Sequence, residues 1–427
     1  MLKGNEPRPK SLHPYAARDG RGSVAIVRVQ SGKDSPPMKR TRLSTLASLS
    51  LPALLALSAV PNGPSQAQEL TKQRPVDTQP NDFSGTLERA DKDMALVIKK
   101  LMALGAKPIG TLSVEETRKG PTPADAVKAV LKEEGKDLTA ITTAMKVKKQ
   151  DATYPTGGGT QPLRIYTPEG PAPQGGFPVI VYFHGGGWVI ADINTYEASA
   201  MALAQKAKAI VASAEYRHAP ENKFPAQHED ANAAYRWVLQ SARSWGGDAN
   251  RVAVVGESAG GNLAVNVAIT ARDQKLQMPL YVLSVYPIAG TATNTPSYMK
   301  NANAIPLNKS GMEWFFKNAI SRPEDMQDPR LNLLGHENLM GLPPTFVITA
   351  EIDPLMSEGK MLADKLKQAG VATKYENFAG VTHEFFSMGI VVKTADRAED
   401  MAADELKKAF HVTNAGTTGQ GMGNQKK

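Results

Sequence analysis

A serine boxed by glycines, Gly256-Glu257-Ser258-Ala259-Gly260, stands between the segment Arg251-Val252-Ala253-Val254-Val255 and the stretch Asn262-Leu263-Ala264-Val265-Asn266-Val267-Ala268-Ile269. The first run reads as a buried strand and the second as a helix, so Ser258 sits on a strand-to-helix turn. That context constrains the fold strongly, because a sharp turn of this kind exposes a nucleophile at the end of a parallel sheet. About seventy residues earlier, Val179-Ile180-Val181-Tyr182-Phe183 reads as another buried strand and ends in His184-Gly185-Gly186-Gly187-Trp188. Three successive glycines let bare backbone N–H groups approach a ligand.

The residue types match acyl-transfer chemistry. A serine hydroxyl attacks a carbonyl only if a neighbouring base takes its proton as the bond forms. The carbonyl oxygen then becomes an oxyanion, and each preorganised donor aimed at it contributes roughly 10² to 10³ in rate. The donors expected here are the N–H of Ala259 and those of two loop glycines, with Gly186 and Gly187 favoured. Chains of this layout supply acid and base after the nucleophile, in that order, beyond the last two strands. Pro344-Thr345-Phe346-Val347-Ile348-Thr349-Ala350 reads as one of those strands, and Glu351-Ile352-Asp353-Pro354-Leu355 follows it, ahead of a helical stretch over 357–368. Asp353 is the candidate acid, and Glu351 stands two residues away as its rival. Thr373-Lys374-Tyr375-Glu376-Asn377-Phe378 reads as the last strand, with Gly380-Val381-Thr382-His383-Glu384-Phe385 in the loop after it. His383 is the candidate base, since His218 and His228 precede the serine and His336 precedes the acid strand.

With these motifs in order, the chain resembles the hormone-sensitive-lipase-like esterases of the α/β-hydrolase superfamily, over about residues 163–410. Glu215-Tyr216-Arg217-His218-Ala219-Pro220 and Phe224-Pro225-Ala226 resemble two further segments of that family. The resemblance implies an α/β fold with a mostly parallel central sheet, helices on both faces and a helical cap. It also implies hydrolysis of carboxylic esters through a Ser258 acyl-enzyme, with Asp353 and His383 completing the triad. Small to medium acyl chains are the expected substrates, in keeping with the family's covered pocket. Three residues depart from the family pattern: Glu257 replaces its usual Asp, Ser357 replaces an acidic residue, and Glu384 replaces the Gly that usually follows the histidine. None removes a catalytic group, but Glu384 brings an extra carboxylate to the site that could alter acyl or alcohol preference. The same triad could cleave amides or deacetylate a carbohydrate. A non-catalytic ligand-binding protein on the same scaffold is a further alternative, although in such relatives the catalytic histidine is lost and here His383 is in place.

Other residues near these motifs have plainer roles. His184, with Gly185, is expected to orient the glycine loop through hydrogen bonds. Trp188 reads as a pocket wall or a packing residue. The family's cap combines the N-terminal part with an insertion, here about residues 290–330. The insertion carries Met299, Met312, Trp314, Phe315 and Phe316, which either line an acyl pocket or pack the cap onto the core. Trp188, Trp314, Phe315 and Glu384 are the candidate pocket residues.

Charge distribution bounds the partners. The chain has 427 residues and a formal charge of +8. Residues 1–37 hold seven Lys/Arg against three Asp/Glu, and residues 38–67 add three basic residues and no acidic ones, which leaves about +1 for the rest. Basicity therefore belongs to the leader, and nucleic-acid binding has no support. Met38-Lys39-Arg40-Thr41-Arg42 followed by an apolar stretch over 43–60 resembles a secretory signal, with cleavage expected after Ala67 and a periplasmic or secreted product. N-terminal sequencing of exported protein checks that site. The 37 residues ahead of Met38 suit an upstream extension, with translation starting at Met38. A disordered cytoplasmic extension with an apolar patch is the alternative. Serines and Pro52 make the stretch a poor membrane span, so no stable anchor is expected. The absence of cysteine excludes disulfides, thiolate-bound metal and a lipid-modified cysteine. With no HExxH or comparable cluster, no metal or cofactor is expected. The oligomeric state is open, a dimer included.

The expected organisation places N-terminal cap helices and a linker over 68–150, the catalytic domain over 151–411 and a disordered tail over 412–427. Within the first part, Leu87, Met94, Ala95, Val97, Ile98 and Leu101 share one helical face. A second helix starts near Pro123 and runs through Val127, Val130 and Leu131.

Overall fold

The computed structural model describes residues 84–412. The upstream extension, the signal segment, most of the polar opening that follows it and all but the first residue of the tail lie outside the described residues. Eight strands form one sheet: β1 (Val147–Thr156), β2 (Gly159–Pro168), β3 (Phe177–Phe183), β4 (Ile210–Ala214), β5 (Gly247–Glu257), β6 (Val282–Val285), β7 (Thr345–Ile352) and β8 (Thr373–Thr382). Their order is β1-β2-β4-β3-β5-β6-β7-β8, with β2 antiparallel to both β1 and β4 and every later pairing parallel. The helices are α1 (Ser84–Arg89), α2 (Lys92–Ala103), α3 (Val114–Lys119), α4 (Pro123–Glu133), α5 (Leu138–Ala144), α6 (Glu197–Ala207), α7 (Ala226–Ser241), α8 (Ala259–Asp273), α9 (Pro296–Lys300), α10 (Lys309–Ala319), α11 (Met356–Gln368) and α12 (Lys393–Val412). None is long and apolar enough to cross a membrane.

A strand with neighbours on both sides and helices on both faces is apolar at nearly every position. β3 shows this, with all seven residues buried. Val179, Val181 and Phe183 enter a core shared with Tyr235 of α7, Leu263 of α8 and Leu362 of α11. Ile180 and Tyr182 enter the opposite core, with Leu203 of α6 and Leu406 of α12. β5 divides the same way, Val252 and Val254 against Ala253 and Val255. Two side chains in succession thus serve two cores, which is the period of a pleated strand.

Two differences from the sequence expectation bear on the site. β8 continues through Thr382, and its pairing with β7 jumps from Ala350↔Phe378 to Ile352↔Thr382. The expected loop is therefore the bulged end of the strand, turned at Gly380 (φ +71°), so that His383 lies directly beyond the sheet. The single N-terminal helical stretch is broken in two. Asp91 caps α2 by accepting the Met94 N–H at 2.8 Å, while Met94, Val97, Ile98 and Leu101 are the buried face. In α4, Thr122 and Asp125 form a reciprocal cap, and Val127, Val130 and Leu131 are buried as the spacing predicts.

Candidate active site

All the candidate chemistry follows the carboxyl ends of parallel strands, where open α/β sheets place their ligands. β3 delivers His184, β5 delivers Ser258, β7 delivers Asp353 and β8 delivers His383. Ser258 has φ +56° and ψ −116°, outside the regions open to ordinary residues. Its N–H donates to Val285 O at 2.9 Å and its carbonyl accepts from Ile288 N at 3.2 Å, so the turn is held from the end of β6 and the loop after it. The flanking glycines are there because strand, turn and helix approach too closely for a side chain. A Cβ on Gly256 would lie 2.0 Å from Gly260 O, and one on Gly260 would lie 2.0 Å from Phe183 O.

Three side chains from distant loops meet here. Ser258 Oγ is 2.9 Å from His383 Nε2, and His383 Nδ1 is 2.7 Å from Asp353 Oδ2. Asp353 is fully buried, and its other oxygen accepts the Leu355 N–H at 2.8 Å, which fixes the carboxylate. Glu351 points elsewhere, accepting the Gly380 N–H at 3.1 Å and facing Arg89 and Lys300 at 3.7 Å. Burial alone would lower the His383 pKa, but Asp353 above all, then Glu384 and Glu257, reverse that and raise it above its ordinary value.

The glycine loop lies beside this group. Gly186 (φ +98°) and Gly187 (φ +58°) line the same cavity as Ser258 and His383. A Cβ at Gly186 would meet Ile190 O at 2.0 Å, and one at Gly187 would meet the Phe315 ring at 2.2 Å. The N–H groups of Gly186, Gly187 and Ala259 are not engaged by a backbone or side-chain acceptor among the described residues. His184 is fully buried, with Nδ1 2.8 Å from Gly185 O and Nε2 2.9 Å from Glu215 Oε1, an arrangement that sets the loop's path. Burial pushes the Glu215 carboxyl up, but His184 and His218 more than reverse this and hold it well below the usual range. His184, Glu215 and His218 are also the one set of metal-type donors grouped within 4.8 Å among the described residues, with Glu215 Oε1 at 2.9 Å from His184 Nε2 and 3.0 Å from His218 Nε2.

The cavity has a volume of about 380 Å³. Its roof combines the N-terminal segment, through Ile109, Thr122 and Pro123, with the insertion, through Met312 and Phe315. Phe315 and Glu384 thus lie where the sequence reading puts them. Trp188 and Trp314 do not line the cavity. Trp188 is buried in the core against His228, and Trp314 packs on Phe315 and Gly110 at the back of the roof. Met299 is 65% exposed and also lies outside it.

Sequence reasoning missed a buried acid–tyrosine system beneath the imidazole. Glu257, fully buried, accepts from Tyr182 and Tyr286, and burial pushes its carboxyl up to about 7. Tyr196 Oη donates to the Glu384 carboxylate, at 2.7 Å from each oxygen. No local pattern announces these tyrosines. Glu215 carried a signal that sequence reasoning did not use: β4 pairs with β3, so the residue after Ala214 must emerge beside the residue after Phe183, and a buried imidazole there needs a partner.

A family model described as alpha/beta hydrolase fold matches residues 180–387. The carboxylesterase NlhH of Mycobacterium tuberculosis is 37% identical over 254 residues, covering 59% of this chain and 79% of its own. An ethyl acetate hydrolase of Pseudomonas putida is 34% identical over 252 residues, with the same coverage of each. Among solved structures, an esterase of Pyrobaculum calidifontis aligns with a TM-score of 0.63 at 31% identity, over 72% of this chain and 97% of that one.

Proposed function

Since this chain belongs to the hormone-sensitive-lipase-like carboxylesterases of the α/β-hydrolase superfamily, we propose that it hydrolyses small to medium acyl esters through Ser258, His383 and Asp353. The observation that carries the reading is the continuous path Ser258 Oγ to His383 Nε2 to Asp353, opening on a cavity that Gly186 and Gly187 also line. Ser258 Oγ bonds to the ester carbon as its proton passes to His383 Nε2. Asp353 holds the imidazole in the tautomer with Nε2 free to accept, and stabilises the imidazolium without taking the proton. The N–H groups of Gly186, Gly187 and Ala259 receive the oxyanion. The bond to the leaving oxygen then breaks as His383 returns its proton to that oxygen, giving the alcohol and the acyl-serine. Water, deprotonated by the same nitrogen, hydrolyses the acyl-enzyme.

Cavity size supports the acyl preference. About 380 Å³ lies near the lower end of ordinary ligand pockets, which run from roughly 300 to 1,000 Å³. Across a series of p-nitrophenyl esters, kcat/KM is expected to peak at short or medium acyl chains; a maximum at sixteen carbons would overturn the assignment.

The pH profile tests the base. Only neutral His383 can accept the serine proton, so activity is complete above its pKa and falls as the pH drops through it. With that pKa raised by Asp353 and Glu384, the acid midpoint of kcat/KM should lie above the ordinary imidazole value of 6.5. Full activity retained down to pH 5 would exclude a base in this environment.

A further inference from the structure

Glu384 has a backbone conformation that suits glycine and a side chain that faces the reaction. Its φ of +72° places it in the left-handed region, where a residue with a Cβ is strained. Such strain persists where surrounding contacts over-determine it, and here they act on the side chain. Tyr196, at the start of α6, holds the carboxylate in place. One carboxylate oxygen lies 3.7 Å from His383 Nε2, and the residue lines the cavity together with Ser258.

The direction it faces follows from the chemistry. His383 Nε2 delivers a proton to the leaving oxygen, so that oxygen must come within hydrogen-bond reach of Nε2. A carboxylate 3.7 Å from the same nitrogen therefore borders the alcohol portion of the ester. Other charged groups around the cavity do not neutralise it. Asp192, a second acid in the lining, accepts from Thr195 and Asn194. Arg118 is occupied by Glu221 and by the carbonyls of Val189 and Ala219, with all four contacts at 2.7–2.8 Å. His218 lies 3.0 Å from Glu215. The cavity wall thus carries two carboxylates, Glu384 and Asp192, while its arginine is committed elsewhere.

We propose that Glu384 is a specificity-determining residue that selects esters with a positively charged alcohol portion over esters whose alcohol portion is anionic. The inference rests on the esterase reading above and adds a substrate class to it. At the separations available, a full charge interaction in a partly buried site changes binding by tenfold or more.

The test uses three acetate esters of similar size, those of choline, 3,3-dimethylbutanol and 3-hydroxypropionate, assayed at pH 8 on the full chain. The wild-type order of kcat/KM should be choline, then dimethylbutyl, then hydroxypropionate. Glu384→Gln and Glu384→Gly should each shrink the choline-to-hydroxypropionate ratio by at least about tenfold. The glycine variant is included because it relaxes the strained backbone and guards against a folding failure of the first. A ratio that stays within twofold in the folded variants overturns the inference while the esterase reading stands. Turnover of none of the three esters, nor of p-nitrophenyl acetate, by wild-type enzyme overturns both.

Discussion

Ser258→Ala should lower kcat by about 10⁴ to 10⁶, leaving only the contribution of the amide donors and of substrate binding. The size follows from the hydroxyl's place in the sequence of bonds. No other side-chain oxygen is described within hydrogen-bond distance of His383 Nε2, so the base loses the only side-chain nucleophile it can activate. The fold should be little affected. Alanine keeps the Cβ that already sits at φ +56°, so the strain is unchanged, and the hydrogen bonds pinning the turn are made by backbone atoms. A loss of about 1 kcal/mol or less corresponds to about 2 to 4 °C or less in thermal midpoint. A fluorophosphonate probe should label the wild-type chain on the peptide carrying Ser258 and leave the variant unlabelled. Label on another peptide, or a folded variant keeping more than a hundredth of wild-type turnover, would remove Ser258 from the mechanism.

How far the sequence led to this site depended on the range of the interactions involved. β3, β5 and β7 were legible because each holds a buried apolar stretch, Val179–Phe183, Val252–Val255 and Phe346–Ile348, shortly before a residue the chemistry requires. The elbow and the triple-glycine loop were legible because close backbone contacts admit only glycine, which marks the sequence directly. The bulge in β8 was not, since nothing in Ala379-Gly380-Val381-Thr382 distinguishes a distorted strand from a loop until β7 is placed beside it. Trp188 and Trp314 were ambiguous for a related reason. An indole that walls a pocket and one that fills a core have the same composition, and only the path of the roof decides between them. Tyr196 and Glu384 are 188 positions apart, and their pairing depends on how α6 meets the end of β8. Glu384 itself was visible as a departure from the family pattern. Its position 3.7 Å from His383 Nε2 depends on that long-range contact with Tyr196.

The choice between the two acids at the end of β7 has the second largest consequence. Asp353→Asn should lower kcat by about 10⁴, or roughly 5.5 kcal/mol in the barrier. The amide retains the shape of the carboxylate but can present an N–H to Nδ1, which favours the tautomer with its proton on Nε2, the nitrogen that must accept from Ser258. It also removes the charge that stabilises the imidazolium. Because Asp353 is fully buried and its second oxygen is held by the Leu355 N–H, water cannot replace the lost interaction. Glu351→Gln should behave differently. Its side chain is 31% exposed, its cationic neighbours stand at 3.7 Å, and its contact with the Gly380 N–H can be kept by the amide oxygen. Screened charge pairs of this kind contribute at most about 1 kcal/mol, so the loss in kcat should stay below about tenfold. Steady-state kinetics on both variants, at a pH well above the acid midpoint, separate the two acids by three orders of magnitude. A crippled Glu351→Gln beside an active Asp353→Asn would transfer the orienting role to Glu351 and require β7 to end in a different conformation during turnover.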